Sequence, residues 1–191
     1  FMTVLGNIVA VTSIVTVVSL IQGMNAMVTD VIVTDVGADS FTIERTPIVR
    51  SEDEWERVRD NPLLTLEEAE AIVEASPSVK AVLAQTGRTA TISYREEEIE
   101  NVRITGVTSA YLDFSTYTAE RGRMMSAIEV DRHRPVTLIG PDLARSVFGD
   151  SDPLEKVIRI AGVHFRVVGV GESRGAVFGS SQDNYAVIPL G

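Results

Sequence analysis

No Asp, Glu, Lys or Arg occurs before Asp30, and within that stretch Met2–Ile21 is mostly apolar, MTVLGNIVAVTSIVTVVSLI, its polar residues few and uncharged: Thr3, Asn7, Thr12, Ser13, Thr16 and Ser19. A helix of about 20 mostly apolar residues spans the roughly 30 Å hydrocarbon core of a bilayer, so the pattern predicts a transmembrane helix. A buried core helix and an uncleaved signal peptide are the alternatives. Buried helices of soluble domains run shorter and keep a polar face. The apolar run exceeds the about 7–15 residues of a signal's hydrophobic region, and no small-x-small cleavage site precedes a polar start near Gly23. At about 100° per residue Gly6, Ala10 and Ser13 share one side, a stripe along which another helix can pack closely. The first basic residue after the helix is Arg45; basic flanks mark the cytoplasmic end of a span, so everything after Ile21 is expected outside.

Past the helix, Met24, Met27, Val28, Val31 and Ile32 continue at spacings of three and four, which predicts a helical stalk over Gln22–Val36 capped by Gly37. Ser40–Arg45 (SFTIER) alternates and reads as a first strand. Thr46–Asn61, with Pro47 and the charged run around Trp55, reads as a loop or short surface helix. Thr65-x-x-Glu68 is a capping-box start for a helix ended by Pro77, with Leu66, Ala69, Ile72 and Val73 on its apolar face and Glu67, Glu70 and Glu74 on a solvated one. Three strand-like runs follow, Val79–Thr86, Arg88–Arg95 and Ile99–Val107, an antiparallel meander turning at Gly87 and Glu96–Glu98. Ser109–Phe114 reads as a short helix and Ser126-x-x-Glu129 as another helix start. Val136–Gly140 reads as a strand, and Pro141 opens a helix ending at Gly149. Val157–Ala161 and His164–Val170 pair about Gly162, and a Gly/Ser-rich loop, Gly171–Asn184, leads to a last strand, Tyr185–Leu190.

Composition sharpens the placement. The net charge of −10 repels DNA, RNA and anionic headgroups, which argues against a nucleic-acid partner. The absence of cysteine suits an oxidising compartment and leaves no disulfide or thiolate metal site. With 45% hydrophobic residues and no low-complexity run, the part after the helix is expected to fold around one sizeable core or two small ones.

Chemistry is sparse. There is no G-x-x-x-x-G-K-[ST], and the only lysines, Lys80 and Lys156, follow no such loop. His133, in the basic run Arg132–Pro135, and His164, in a strand, lack metal-ligand spacing. No G-x-S-x-G elbow makes a nucleophile of any serine. Gly140, Gly149, Gly162 and Gly169 with interleaved Val and Ile read as fold determinants. No catalytic, cofactor-binding or metal-binding residue is therefore assigned, and no cofactor.

The order of pieces nevertheless has a counterpart. The membrane helix, the Leu64-Thr65-Leu66-Glu67-Glu68-Ala69 helix start, Arg121-Gly122-Arg123 and Val136-Thr137-Leu138-Ile139-Gly140 come first. Val147-Phe148-Gly149-Asp150 with Asp152-Pro153-Leu154, Ile158-Arg159-Ile160, Phe165-Arg166-Val167-Val168-Gly169-Val170 and Ala186-Val187-Ile188-Pro189-Leu190 follow. Together they resemble the MacB-like periplasmic core domain of ABC transporter permeases, of the FtsX-like/MacB type. The chain departs from the pattern at Met125, where an aromatic residue is usual, and around Trp55.

The resemblance implies an α+β chain, with one N-terminal transmembrane helix and stalk (1–36) followed by a mixed α/β extracytoplasmic domain of two lobes (37–191). A membrane-proximal lobe would come from about 37–85 and 136–191, and an inserted lobe from about 86–135. It implies a permease subunit in the cell membrane, facing the periplasm or extracellular side, with further membrane helices following Gly191. That permease would be no enzyme itself, and would couple cytoplasmic ATP hydrolysis to export or to work on an external substrate. Its implied partners are an ABC ATPase subunit or domain, a second permease copy, the lipid bilayer and a candidate periplasmic adaptor. A membrane-tethered binding or sensor domain is the alternative.

Overall fold

The computed structural model describes residues 6, 10–22, 41–46, 49, 51–114, 117–177 and 179–190. They fall into two compact units, Phe1–Glu44 and Arg45–Gly191. In the first, residues 10–22 are helical (α1) and every side chain along them is exposed, Val11, Ile14 and Leu20 included. The Thr16 hydroxyl donates to the Thr12 carbonyl at 2.8 Å, which satisfies it inside the helix. Among the described residues no helix is long and apolar enough to cross a membrane. Only part of the expected span is described, and the expected stalk beyond Gln22 and its cap at Gly37 lie outside the described residues.

The expected strand over Ser40–Arg45 is not found: residues 41–44 join no ladder, and Phe41 and Ile43 are exposed. Alternation makes a strand only where a partner takes the backbone. Arg45, in the second unit, is instead held by Asn61: the Arg45 Nε donates to the Asn61 carbonyl and the Asn61 side-chain amide donates to the Arg45 carbonyl, each at 2.9 Å.

The second unit opens with two surface helices, α2 (Glu52–Val58), capped by Ser51, and α3 (Leu66–Ala75). The Thr65–Glu68 capping box is complete, the Glu68 amide donating to the Thr65 hydroxyl at 3.2 Å and the Thr65 amide to the Glu68 carboxylate at 2.8 Å. A hairpin of β1 (Gln85–Tyr94) and β2 (Glu97–Val107) replaces the expected three-stranded meander. Residues 79–84 form no strand, and Gly87 lies inside β1 opposite Thr105, because a ladder with a full partner tolerates a missing side chain. The chain turns only after Tyr94, where Arg95 has φ 56°. Then come α4 (Ser109–Phe114), β3 (Ala119–Gly122), α5 (Ala127–Asp131), β4 (Val136–Ile139), α6 (Pro141–Phe148), β5 (Val157–Ile160) and β6 (Val163–Gly171). A small hairpin, β7 (Ala176–Val177) and β8 (Ser180–Ser181), precedes β9 (Tyr185–Pro189). The turn between β5 and β6 takes positive φ at both Ala161 (47°) and Gly162 (88°), the twist that suits a tight antiparallel connection.

Seven strands form one sheet in the order β3-β6-β4-β9-β2-β1-β5, and β5 also pairs with β6, so the ladder closes on itself. The β2–β9 and β4–β6 pairs are parallel and the rest antiparallel. The chain segments assigned above to different lobes share this sheet. Alternation along its strands produces two cores. On one face Ile104, Ile139, Val167 and Ala186 pack with Leu143, Val147 and Phe148 of α6. On the other Val107, Leu138, Val168 and Val187 pack with Met125 and with Val130 of α5. Thr137, fully buried, is accommodated because its hydroxyl donates to the Val187 carbonyl at 2.9 Å.

The second capping box is reinforced. Glu129 accepts from the Ser126 amide at 2.9 Å and from Arg123 through both carboxylate oxygens at 2.7 Å, a two-pronged pair between α5 and the residue that follows β3. Arg123's bonds, against the opposing effect of burial and with Ser126 adding, hold the Glu129 carboxyl down at about 2. An unfolded glutamate titrates near 4.3. The folded value is thus the lower one, so this stability is fully present above about pH 4.3 and is lost as pH falls towards 2. Arg123 is half exposed, which screens the pair and leaves the cap as the main contribution. Glu129→Gln keeps the cap's acceptor and removes the charge that pairs with Arg123, so it should lower the melting temperature by no more than about 2–4 °C at pH 7, from a screened pair worth up to about 1 kcal/mol. The gap from wild type should narrow as pH falls from about 4.3 towards 2 in parallel thermal melts, and a gap that keeps its pH 7 size at pH 2 would contradict the pairing.

Candidate functional site: a latched loop and an open groove

Two places in the second unit are built beyond what the sheet requires. The first is the loop between β6 and β9. Asp183 is only 4% exposed, yet its carboxylate is satisfied: it accepts from the Arg174 amide at 2.6 Å, the Gly175 amide at 3.4 Å and the Ser173 hydroxyl. The Gln182 amide donates to the Gly175 carbonyl at 2.9 Å and closes the loop. The Asp183 amide donates to the Ser181 hydroxyl, which in turn donates to Asp142 and so ties the loop to α6. Beneath it the Arg174 guanidinium lies 4.7 Å from the centroid of the Tyr117 ring, and Tyr117 packs on Tyr185 at 5.1 Å. Burial, with smaller contributions from Tyr117 and Asp183 against an opposing one from Arg174, pushes the Tyr185 phenol up to about 12. It therefore stays a neutral, packed ring and supplies no base. This cluster holds a loop in one shape and exposes its Ser/Gly tip.

The second place is a groove of about 340 Å³ open to solvent. One wall is α3, whose Leu66, Ala69, Glu70 and Val73 face it at spacings of three and four. The other is made by Val82, Ala84, residues 108–110, Val130, Asp131, His133 and Leu190. His133 Nδ1 donates to the Leu190 carbonyl at 2.8 Å and closes one end. No residue of α3 is buried, and Leu66 and Val73 remain 45% and 38% exposed. Residues 51–76 carry nine carboxylates against two guanidinium groups.

The sequence assigned no site residue. His133 ends up in the groove's rim, while His164 is exposed on β6 opposite Arg159. Lys80 and Lys156 are exposed. Among the described residues no group of three or more His, Asp or Glu side chains is placed to hold a metal ion. Asp183 and Arg174 escaped sequence reading because their partners are backbone amides and a distant ring. The one local signal, an acid between a Gly/Ser loop and an apolar strand, fits many turns.

Comparison with known proteins gives this architecture relatives. The curated proteins it matches include macrolide export ATP-binding/permease proteins MacB. That of Bdellovibrio bacteriovorus is 30% identical over 127 residues, 66% of this chain and 19% of the relative. That of Mannheimia succiniciproducens is 26% identical over 173 residues, 91% of this chain and 26% of the relative. The chain thus spans about a fifth to a quarter of their length. Among solved structures, the periplasmic region of MacB from Actinobacillus actinomycetemcomitans superposes with a TM-score of 0.58 at 19% identity, covering 71% of this chain and 59% of that one. The extracellular domain of YknZ, a noncanonic ABC-type transporter from Gram-positive bacteria, gives 0.56 at 23%, covering 64% and 61%. At these identities the two structures establish a shared fold. The sequence profile of the MacB-like periplasmic core domain matches residues 1–191, the whole chain, and this chain belongs to that family.

Proposed function

We propose that this chain is the periplasm-facing part of an ABC-transporter permease, and that its folded unit passes the ATPase cycle on to an external substrate or partner. The full-length family match carries the reading. The exposed, uncharged and mostly apolar helix 10–22 supports it, because a helix with apolar residues on every side is stable only when lipid or protein covers it. The second unit contributes a rigid sheet, a latched loop and a groove, and no reacting group is assigned to it. ATP hydrolysis belongs to a separate domain or subunit, and a second permease copy and an adaptor are the remaining proposed partners. The transported substrate is not specified by any residue described above.

Fusion of alkaline phosphatase after residue 191 tests the placement. The enzyme folds only outside the cytoplasm, so colonies should score positive, and a β-galactosidase fusion at the same point should be inactive. The opposite pair of results would put the folded unit in the cytoplasm and end this reading.

A further inference from the structure

We propose that the groove along α3 docks a basic amphipathic helix of a partner protein. The helix α3 is stabilised by its own complete capping box and has an apolar face, yet it buries none of its residues. Its groove-lining residues Leu66, Ala69, Glu70 and Val73 extend over about two turns, roughly 10 Å, the repeat at which a second helix places its anchors. The opposite wall is formed largely of small and aliphatic side chains, Val82, Ala84, Val130 and Leu190. Such a floor offers aliphatic side chains a dry seat and offers a polar small molecule few directed bonds.

Charge selects among occupants. Glu70 and Asp131 line the groove, Glu67 and Glu74 stand exposed beside it on α3, and the surrounding segment is strongly acidic. A second copy of this chain would bring the same acids against them, and an anionic lipid surface would be repelled. Arg132 and Arg134 sit next to His133 at one end only, so the long side of the groove stays negative. A helix with leucine-type anchors on one face and lysine or arginine beside them satisfies both the floor and the rim. The inference holds whether or not the domain belongs to a transporter.

The test uses the full chain in phosphatidylcholine nanodiscs and a synthetic 18-residue Leu/Lys helix, with leucines at i, i+3, i+4 and i+7 and a benzophenone on its central anchor. Photo-crosslinks mapped by mass spectrometry should concentrate in residues 66–73, 82–84, 108–110 and 130–133. The Glu70→Lys/Glu74→Lys variant, altered at two exposed positions, should lose at least tenfold in crosslinking to this probe. The same variant should gain crosslinking to a Leu/Glu helix of identical leucine spacing, a gain that a misfolded variant would not show. Equal labelling by the two helices, labelling spread over the surface or confined to residues 10–22, or chain-to-chain crosslinks through the groove would each overturn the proposal.

Discussion

Gly140→Ala should lower the melting temperature of the folded unit by about 2–12 °C, from an overpacking cost of about 1–3 kcal/mol. Gly140 is the N-cap of α6, at the corner where β4 ends and passes close to β9. A Cβ there would overlap the Asp183 carbonyl oxygen and press on the Tyr185 ring at 2.8 Å. The first obstacle is backbone and the second is a ring buried by Tyr117, so neither can move aside without disturbing the latched loop. The effect should therefore reach the loop as well, raising amide exchange at Arg174 and Gly175. Gly87→Ala is the internal control. Its nearest obstacle is the Ile104 carbonyl oxygen at 4.0 Å, so alanine there should be neutral or slightly stabilising. Equal melting temperatures for Gly140→Ala and wild type would mean that β4 and β9 do not approach as described.

Val31→Pro should sharply lower coupled activity in the full-length permease while leaving ATP hydrolysis largely intact. Residues 23–36 lie outside the described structure, and the prediction rests on their sequence pattern, which reads as a helical stalk joining the membrane helix to the folded unit. If ATP hydrolysis on one side of the membrane moves a domain on the other, displacement must pass through that segment, and only a continuous helix transmits it rigidly. Proline removes one backbone bond, clashes with the preceding turn and costs about 3 kcal/mol locally. The buried residues of both described cores lie at positions 92–187, far along the sequence from this substitution. In the full-length permease with its ATPase, membrane insertion and basal hydrolysis should persist while transport or partner-dependent activity falls by an order of magnitude or more. Normal activity in a correctly inserted Val31→Pro protein would make the stalk a passive tether and favour a tethered binding domain.

What could be read from the sequence was mostly local. Both capping boxes, the Pro141 start and Gly149 end of α6, and the short helix at Ser109 depend on contacts within a few residues, and each lies where its signal put it. The strand SFTIER and the turn at Gly87 failed for one shared reason. Alternation and glycine describe what a segment tolerates, while the presence of a partner strand decides what it becomes. The strand order was equally out of reach, since Arg103 pairing with Tyr185 and Ile92 with Ile160 join segments with no local relation. The two candidate places follow the same rule. Asp183 is held by amides of Arg174 and Gly175 that any non-proline residue would offer, and the groove gathers five separate stretches of chain. The apolar face of α3 was legible; its lack of cover was not.

The most direct measurement of the central claim is a distance across the permease as its ATPase turns over. This chain contains no cysteine, so once any cysteine elsewhere in the full-length permease is replaced, Ser151→Cys at an exposed position takes a single spin label per copy. In the full-length permease with its ATPase, reconstituted as a dimer, the label-to-label distance distribution should differ between the nucleotide-free and vanadate-trapped states. Val31→Pro should remove that difference. Identical distributions in the wild-type protein while ATP is being hydrolysed would contradict the account.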